Sequence, residues 1–219
     1  MGLLTKEQKL LGALSDALID ADVALKYVQN WVIGIAHNEP EPEEADVLEL
    51  LVRYAKAAST MHYIKQLDEQ EKEKVIHSLP AVDYVELIGQ LGSLEGMIEA
   101  IDKTDAELLE STIDKQLVSR INDWKKYLEA FKPNDDGLDQ PLDPGMDNLM
   151  EDRDFLEYAK IGIQLIQSRA PRFKGIKNLK TFEQQLDEAD KTLKKVLGKR
   201  RELVYWADPV FWWRHKPQQ

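Results

Sequence analysis

The side chains best suited to chemistry in this sequence are its 40 aspartates and glutamates and its 4 histidines, because cysteine is absent. A di-iron enzyme built on helices needs Glu-x-x-His pairs, since a carboxylate and an imidazole one turn apart can bind the same ion. No histidine has a glutamate three positions before it; the histidines are His37, His62, His77 and His215. The sequence therefore gives no support to a di-iron site.

Paired carboxylates could instead hold magnesium in an all-α hydrolase, because Mg²⁺ binds oxygen ligands and keeps several waters. Glu41 and Glu44 have a Glu-x-x-Glu spacing, and Glu99 and Asp102 have a Glu-x-x-Asp spacing. In a chain with 32% charged residues such spacings also arise by chance, and Pro42 interrupts the first pair. A magnesium-dependent hydrolase is therefore our third hypothesis, behind two that involve binding.

The aspartate-rich stretch 132–148 raises the question of calcium. An EF-hand loop needs oxygen ligands at its third and fifth positions, glycine at the sixth and glutamate at the twelfth. The register that supplies both Gly145 and Glu151 puts Leu142 and Pro144 at the two ligand positions. We interpret the stretch as an acidic linker or crossover loop. Glycine-rich phosphate motifs and the Gly-x-Ser-x-Gly elbow are also missing, so we expect no catalytic residue, no cofactor and no metal.

Charge is divided unevenly along the chain. From Asp152 to the end, 15 basic residues stand against 9 acidic ones, giving +6, whereas the first 151 residues hold 14 and 31, giving −17. The excess could bind nucleic acid or another polyanion, or the two parts could simply attract each other. Polyanion binding is our second hypothesis, and its candidate residues are Arg169, Arg172, Lys174, Lys177, Lys180, Lys195, Lys199 and Arg200.

Aromatic side chains are concentrated at the C-terminal end, in the stretch VYWADPVFWWRHKPQ. Trp, Tyr and Arg are enriched among the residues that anchor protein interfaces. The candidate partner-binding residues are Trp206, Phe211, Trp212, Trp213 and Arg214. Two alternatives stay open, which are packing of these rings against the chain's own helices and a weak contact with a membrane surface.

Six helical patterns position these residues, and no strand-like alternation occurs. Between Leu11 and Ile35 apolar residues recur in alternating steps of three and four, which predicts a long amphipathic helix. The apolar stripes of the five later helices run, in chain order, from Val47 to Ile64, Leu87 to Ile101, Leu109 to Phe131, Phe155 to Ile166 and Phe182 to Leu203. Thr104-Asp105 is expected to cap the fourth helix.

The patterns predict an all-α antiparallel bundle of about six helices. Its expected parts are an acidic four-helix region 1–131, an acidic linker 132–148, a basic helical pair 149–204 and an aromatic and basic tail 205–219. No stretch approaches the roughly 20 apolar residues that span a bilayer, and the N-terminus lacks the features of a signal peptide. We therefore expect a cytoplasmic protein without a transmembrane segment.

Three glycines in the third helix need a separate explanation. Gly89, Gly92 and Gly96 lie on the side opposite the leucine stripe, and each costs about 1 kcal/mol relative to alanine inside a helix. We expect them to permit close helix packing, either with another helix of the chain or with a partner.

Our first hypothesis is a non-enzymatic structural or adaptor subunit of a larger assembly. It would bind a protein partner, or a second copy of itself, through helical faces and the aromatic C-terminal segment.

Overall fold

The structure, a computed structural model, describes residues 6–36, 47–66, 70, 73, 81–131, 144–170, 172–173 and 178–197. Over these ranges the chain forms five helices and no strand, which confirms the predicted all-α bundle. The helices are α1 (Lys6–Ala36), α2 (Val47–Gln66), α3 (Ala81–Ala130), α4 (Pro144–Arg169) and α5 (Leu179–Leu197).

The chain divides into two compact units. The first comprises Met1–Ile113 and Tyr158–Gly175, and the second comprises Asp114–Glu157 and Ile176–Gln219. The first unit thus holds α1, α2, the first part of α3 and the last part of α4. The second unit holds the remainder of α3 and α4, together with α5. Each unit combines residues from regions that the sequence treats as separate.

The core of the first unit follows the predicted apolar stripes. In α2 every predicted position is buried: Val47, Leu50, Tyr54, Ala57, Met61 and Ile64. In α1, which packs against α2, the buried line consists largely of small residues, namely Leu14, Ala17, Ala21, Ala24, Val28 and Trp31. Leu11, Leu18 and Leu25 are only half-buried, so the centre of the buried face is displaced from the predicted leucine stripe.

A tight crossing between α2 and α4 depends on Gly162. A Cβ atom at Gly162 would lie 2.5 Å from the backbone oxygen of Leu51 and 2.9 Å from the Leu51 Cβ. No side chain can occupy that space, so glycine is needed here for close backbone approach. This role of Gly162 was not predicted from the sequence.

The predicted break between the third and fourth helices is wrong, because α3 runs without interruption for 50 residues. Thr104 and Asp105 are good caps, but inside a helix each costs less than about 1 kcal/mol, and neither glycine nor proline is near to end the helix. Leu109 follows Ile98 by about three helical turns, so the buried stripe continues on the same face. Both residues are buried.

A buried ionic cluster joins α4 and α5 in the second unit. Arg153, only 4% exposed, donates from Nε and Nη2 to the two carboxylate oxygens of Asp190 at 2.8 and 2.9 Å. Its Nη1 donates to Glu157 at 3.0 Å. The buried apolar residues of these two helices include Leu156, Phe182, Leu186 and Leu193. Such a cluster is costly to desolvate and therefore depends on all of its partners.

The N-terminal end of α4 differs from the predicted boundary. Residues 144–148, expected in the linker, belong to α4, because proline is well suited to the first position of a helix, where its missing N–H is not needed. Residues 132–143 of the linker lie outside the described part of the chain. At the start of α5, Asp114 accepts hydrogen bonds from the backbone N–H and the side-chain amide of Asn178.

Candidate functional site

Among the described residues of the first unit, the most exposed large apolar side chain is Val85 on α3. Val85 is 66% exposed and Ile88 is 46% exposed, and Gly89, Gly92 and Gly96 are exposed beside them. We call these five residues the glycine face. Its opposite side carries Leu87, Leu91, Leu94 and Ile98, all buried. The leucines attach this segment of α3 to the core, so the glycine face points away from it.

Among the described residues, none packs closely against these glycines, although the sequence led us to expect a close crossing with another helix of the chain. A Cβ atom at Gly89, Gly92 or Gly96 would meet nothing within 4 Å. The bulky stripe occupies the core side of the helix, so the glycines lie on the opposite side, where space is open. The other possibility left by the sequence, close packing against a partner, stays a prediction.

A hydrogen-bonded group fixes α3 to α2 and α4 beside the glycine face. Glu95 accepts from the Tyr54 hydroxyl at 3.1 Å and pairs with Arg169 Nη1 at 2.7 Å. Burial, followed by the negative charge of Glu95, raises the pKa of Tyr54 above its ordinary value of 10.0, while Arg169 opposes the shift. The phenol is therefore held in its neutral form, as a hydrogen-bond donor to the carboxylate.

Of the eight residues predicted to bind a polyanion, four are described, two in each unit. Arg169 is paired with Glu95, and Arg172 donates to the Lys103 carbonyl oxygen at 2.6 Å, while its N–H donates to Asp102. Both arginines are therefore committed to contacts within the first unit. Lys180 and Lys195 are exposed on α5. Four members lie outside the described residues, namely Lys174, Lys177, Lys199 and Arg200, so polyanion binding stays a prediction.

The aromatic C-terminal segment also lies beyond the described part of the chain. Its candidate partner-binding residues are Trp206, Phe211, Trp212, Trp213 and Arg214. Their role as interface anchors stays a prediction from the sequence.

A polar groove opens on the surface of the first unit, where α1 and α2 meet Tyr158 of α4. It has a volume of about 410 Å³, within the usual range for small-molecule sites. Its apolar lining consists of Ala13, Ala17 and Ile19, and its polar lining of Asp16, Asp20, Arg53, Lys56, Thr60 and Tyr158. The spacing of Arg53, Lys56 and Thr60 along one helix face is the signal that could have indicated the groove.

Arg53 is already held in place at one end of the groove. Its Nη1 donates to Asp20 and its Nε donates to Glu49, both at 2.6 Å. Burial opposes the charge, but the hydrogen bonds to Asp20 and Glu49 outweigh it and raise the pKa of Arg53 above its ordinary value. The Lys56 ammonium lies 5.5 Å from the centre of the Tyr158 ring, which is within reach of a cation–π interaction.

No group of three or more His, Asp or Glu side chains in the described residues is arranged to hold a metal ion. Of the magnesium candidates, Glu99 is exposed and Asp102 is buried, while Glu41 and Glu44 are not described. None of the described helices is long and apolar enough to cross a membrane.

Comparison of the chain with protein-family models, with curated proteins and with solved structures finds no match. Its function must therefore be inferred from its own residues.

Proposed function

We propose that this chain is a non-enzymatic structural or adaptor subunit that binds a helical protein partner through the glycine face of α3. The observation that carries the proposal is the combination of two exposed apolar side chains, Val85 and Ile88, with three glycines that have open space in front of them. Single apolar residues on a surface are common, but apolar residues that lie together indicate a site of interaction with another molecule.

The three glycines of this face destabilise α3. Three glycines cost roughly 3 kcal/mol relative to alanines in the same helix, and among the described residues nothing packs against them to offset this cost. A partner helix could approach the bare backbone closely. Val85 is 66% exposed and Ile88 46% exposed, so burying what remains would contribute about 1–2 kcal/mol and about 0.7–1.4 kcal/mol, as fractions of the about 1.5–3 kcal/mol for a whole side chain. Gly162 illustrates the same use of glycine inside the chain, where Leu51 occupies the space.

The surroundings of the glycine face suit the rim of an interface. Glu86, Glu99 and Lys103 are exposed along the same part of α3, and interfaces commonly have an apolar centre and a polar rim. Charges of both signs at the rim would orient a partner and exclude wrong ones more than they would strengthen binding.

The test compares complexes formed by the full chain and its variants. Gly92→Leu should block the approach of a partner helix while favouring the helix itself, and Val85→Glu should place a charge in the interface. Val118→Glu is the matched control, since Val118 is also exposed on α3 but is not part of the glycine face. The chain is isolated with its partners from its native source, and mass spectrometry and light scattering measure composition and size.

We expect the first two variants to lose a specific partner, or to become monomeric if the partner is a second copy, and the control to behave as wild type. Circular dichroism verifies that all variants remain helical. Complexes of unchanged composition and size in both glycine-face variants would refute the proposal.

A further inference from the structure

The groove in the first unit has a balanced set of charges. Among its lining residues, Asp16 and Asp20 are acidic and Arg53 and Lys56 are basic, so the lining contributes no net charge. A ligand with a single charge would meet a repulsive group as well as an attractive one. A neutral ligand with one positive and one negative group would match both.

Only some of the charged residues that line the groove form ion pairs within the protein. Arg53 and Asp20 are paired with each other, and Glu49 binds the same guanidinium. In contrast, the side chains of Asp16, Lys56 and Thr60 take part in no ion pair or hydrogen bond with the described residues, and the Lys56 ammonium lies 5.5 Å from the centre of the Tyr158 ring. The groove therefore offers a carboxylate from α1, and an ammonium and a hydroxyl from α2.

We propose that this groove binds a zwitterionic small molecule with an apolar portion, of the chemical class of free amino acids. The ligand ammonium binds the Asp16 carboxylate, and the ligand carboxylate binds the Lys56 ammonium and the Thr60 hydroxyl. Its apolar portion lies against Ala13, Ala17 and Ile19, which line the same space. The paired Arg53 and Asp20 form a fixed polar wall and do not need to rearrange.

The geometry of the two helices supports this assignment. Lys56 and Thr60 are separated by one turn, so they lie on the same face of α2. Asp16 lies on α1 together with Ala13 and Ala17, at spacings of three and one residues that place them around the same groove. The Tyr158 ring limits the movement of the Lys56 ammonium by its cation–π contact.

Matched ligands provide the first test, with the full wild-type chain and isothermal titration calorimetry or NMR titration. Leucine is compared with 4-methylpentanoate, which lacks the ammonium, and with 3-methylbutylamine, which lacks the carboxylate. A second series, 6-aminohexanoate, hexanoate and hexylamine, has the two charges further apart. We expect at least one zwitterion to bind with a dissociation constant of about 1 mM. Each analogue with a single charge should bind roughly fivefold more weakly.

Variants then locate the binding site. Asp16→Asn should weaken zwitterion binding to the level of the analogue without an ammonium, and Lys56→Gln to the level of the analogue without a carboxylate. Asp22→Asn and Lys65→Gln remove the same charges from α1 and α2 outside the groove lining, and should bind as wild type does. The proposal is overturned if neither zwitterion binds better than its singly charged analogues, or if the groove and control variants bind equally well.

Discussion

Replacement of the exposed glycines of α3 by alanine should stabilise the first unit, whereas the same change at Gly162 should destabilise it. A Cβ atom at Gly89, Gly92 or Gly96 would meet nothing within 4 Å, so each change keeps the packing and gains helix propensity. The expected gain is about 1 kcal/mol per site, or roughly 3 kcal/mol for the triple variant if the sites act independently.

The Gly162→Ala variant is the matched opposite, because it makes the same chemical change in a helix of the same unit. Its Cβ atom would lie 2.5 Å from the Leu51 backbone oxygen, and a backbone atom cannot turn aside as a side chain can. Overpacking costs up to about 3 kcal/mol, which exceeds the propensity gain of about 1 kcal/mol. We therefore expect a net loss of about 2 kcal/mol.

The assay is urea unfolding followed by circular dichroism, with native-state hydrogen exchange of α2 amides to assign the change to the first unit. An unchanged or lower stability of the triple variant would show that the glycine face is already packed against something. A Gly162→Ala variant as stable as wild type would refute the close crossing between α2 and α4. Loss of partner binding by a variant that folds more stably than wild type would separate the role of the face from that of the core.

Three further predictions concern polar contacts. Arg153→Met should destabilise the second unit by about 3–5 kcal/mol because it leaves two buried carboxylates without their guanidinium. Arg120→Met removes a half-exposed ion pair and should cost less than about 1 kcal/mol. Equal losses of stability for the two variants in urea unfolding would contradict the role of the buried cluster. The raised pKa of Tyr54 means that the folded state keeps a proton which the unfolded chain loses above pH of about 10, so this stability contribution is present below pH 10 and declines as pH rises. Tyr54→Phe should make the alkaline fall in stability shallower, and parallel curves for wild type and variant between pH 9 and 11 would refute the assignment. Asp114→Ala should cost about 1 kcal/mol and accelerate hydrogen exchange in the first turn of α5, and unchanged exchange there would show that this cap is not important.

Much of the fold could be read from local periodicity. The stripe from Val47 to Ile64 is buried as predicted, and so are the stripes from Leu87 to Ile101 and from Leu109 to Leu128, because a helix with apolar residues every three to four positions must cover that face. Helix ends were less predictable. Thr104 and Asp105 resemble a cap, yet the buried residues on either side of them keep α3 continuous.

The candidate site could be predicted only in part from residue type and spacing. Residue type and spacing pointed to Gly89, Gly92 and Gly96, but could not tell an empty face from a packed one. The groove contains side chains from three helices, and a sequence pattern within one helix does not reveal which residues of another helix lie opposite. The ion pair between Arg169 and Glu95 could not be predicted from the sequence for the same reason.

The sequence by itself determined that the chain is helical, which faces are apolar and where charge accumulates, because these properties depend on residues one or two turns apart. Only the tertiary structure decided which glycine is needed for close packing. Gly162 meets Leu51, more than 100 positions away in the chain, while the three glycines of α3 meet open space. Contacts between distant segments are set by how whole helices pack, and that packing assigns different roles to residues of the same type.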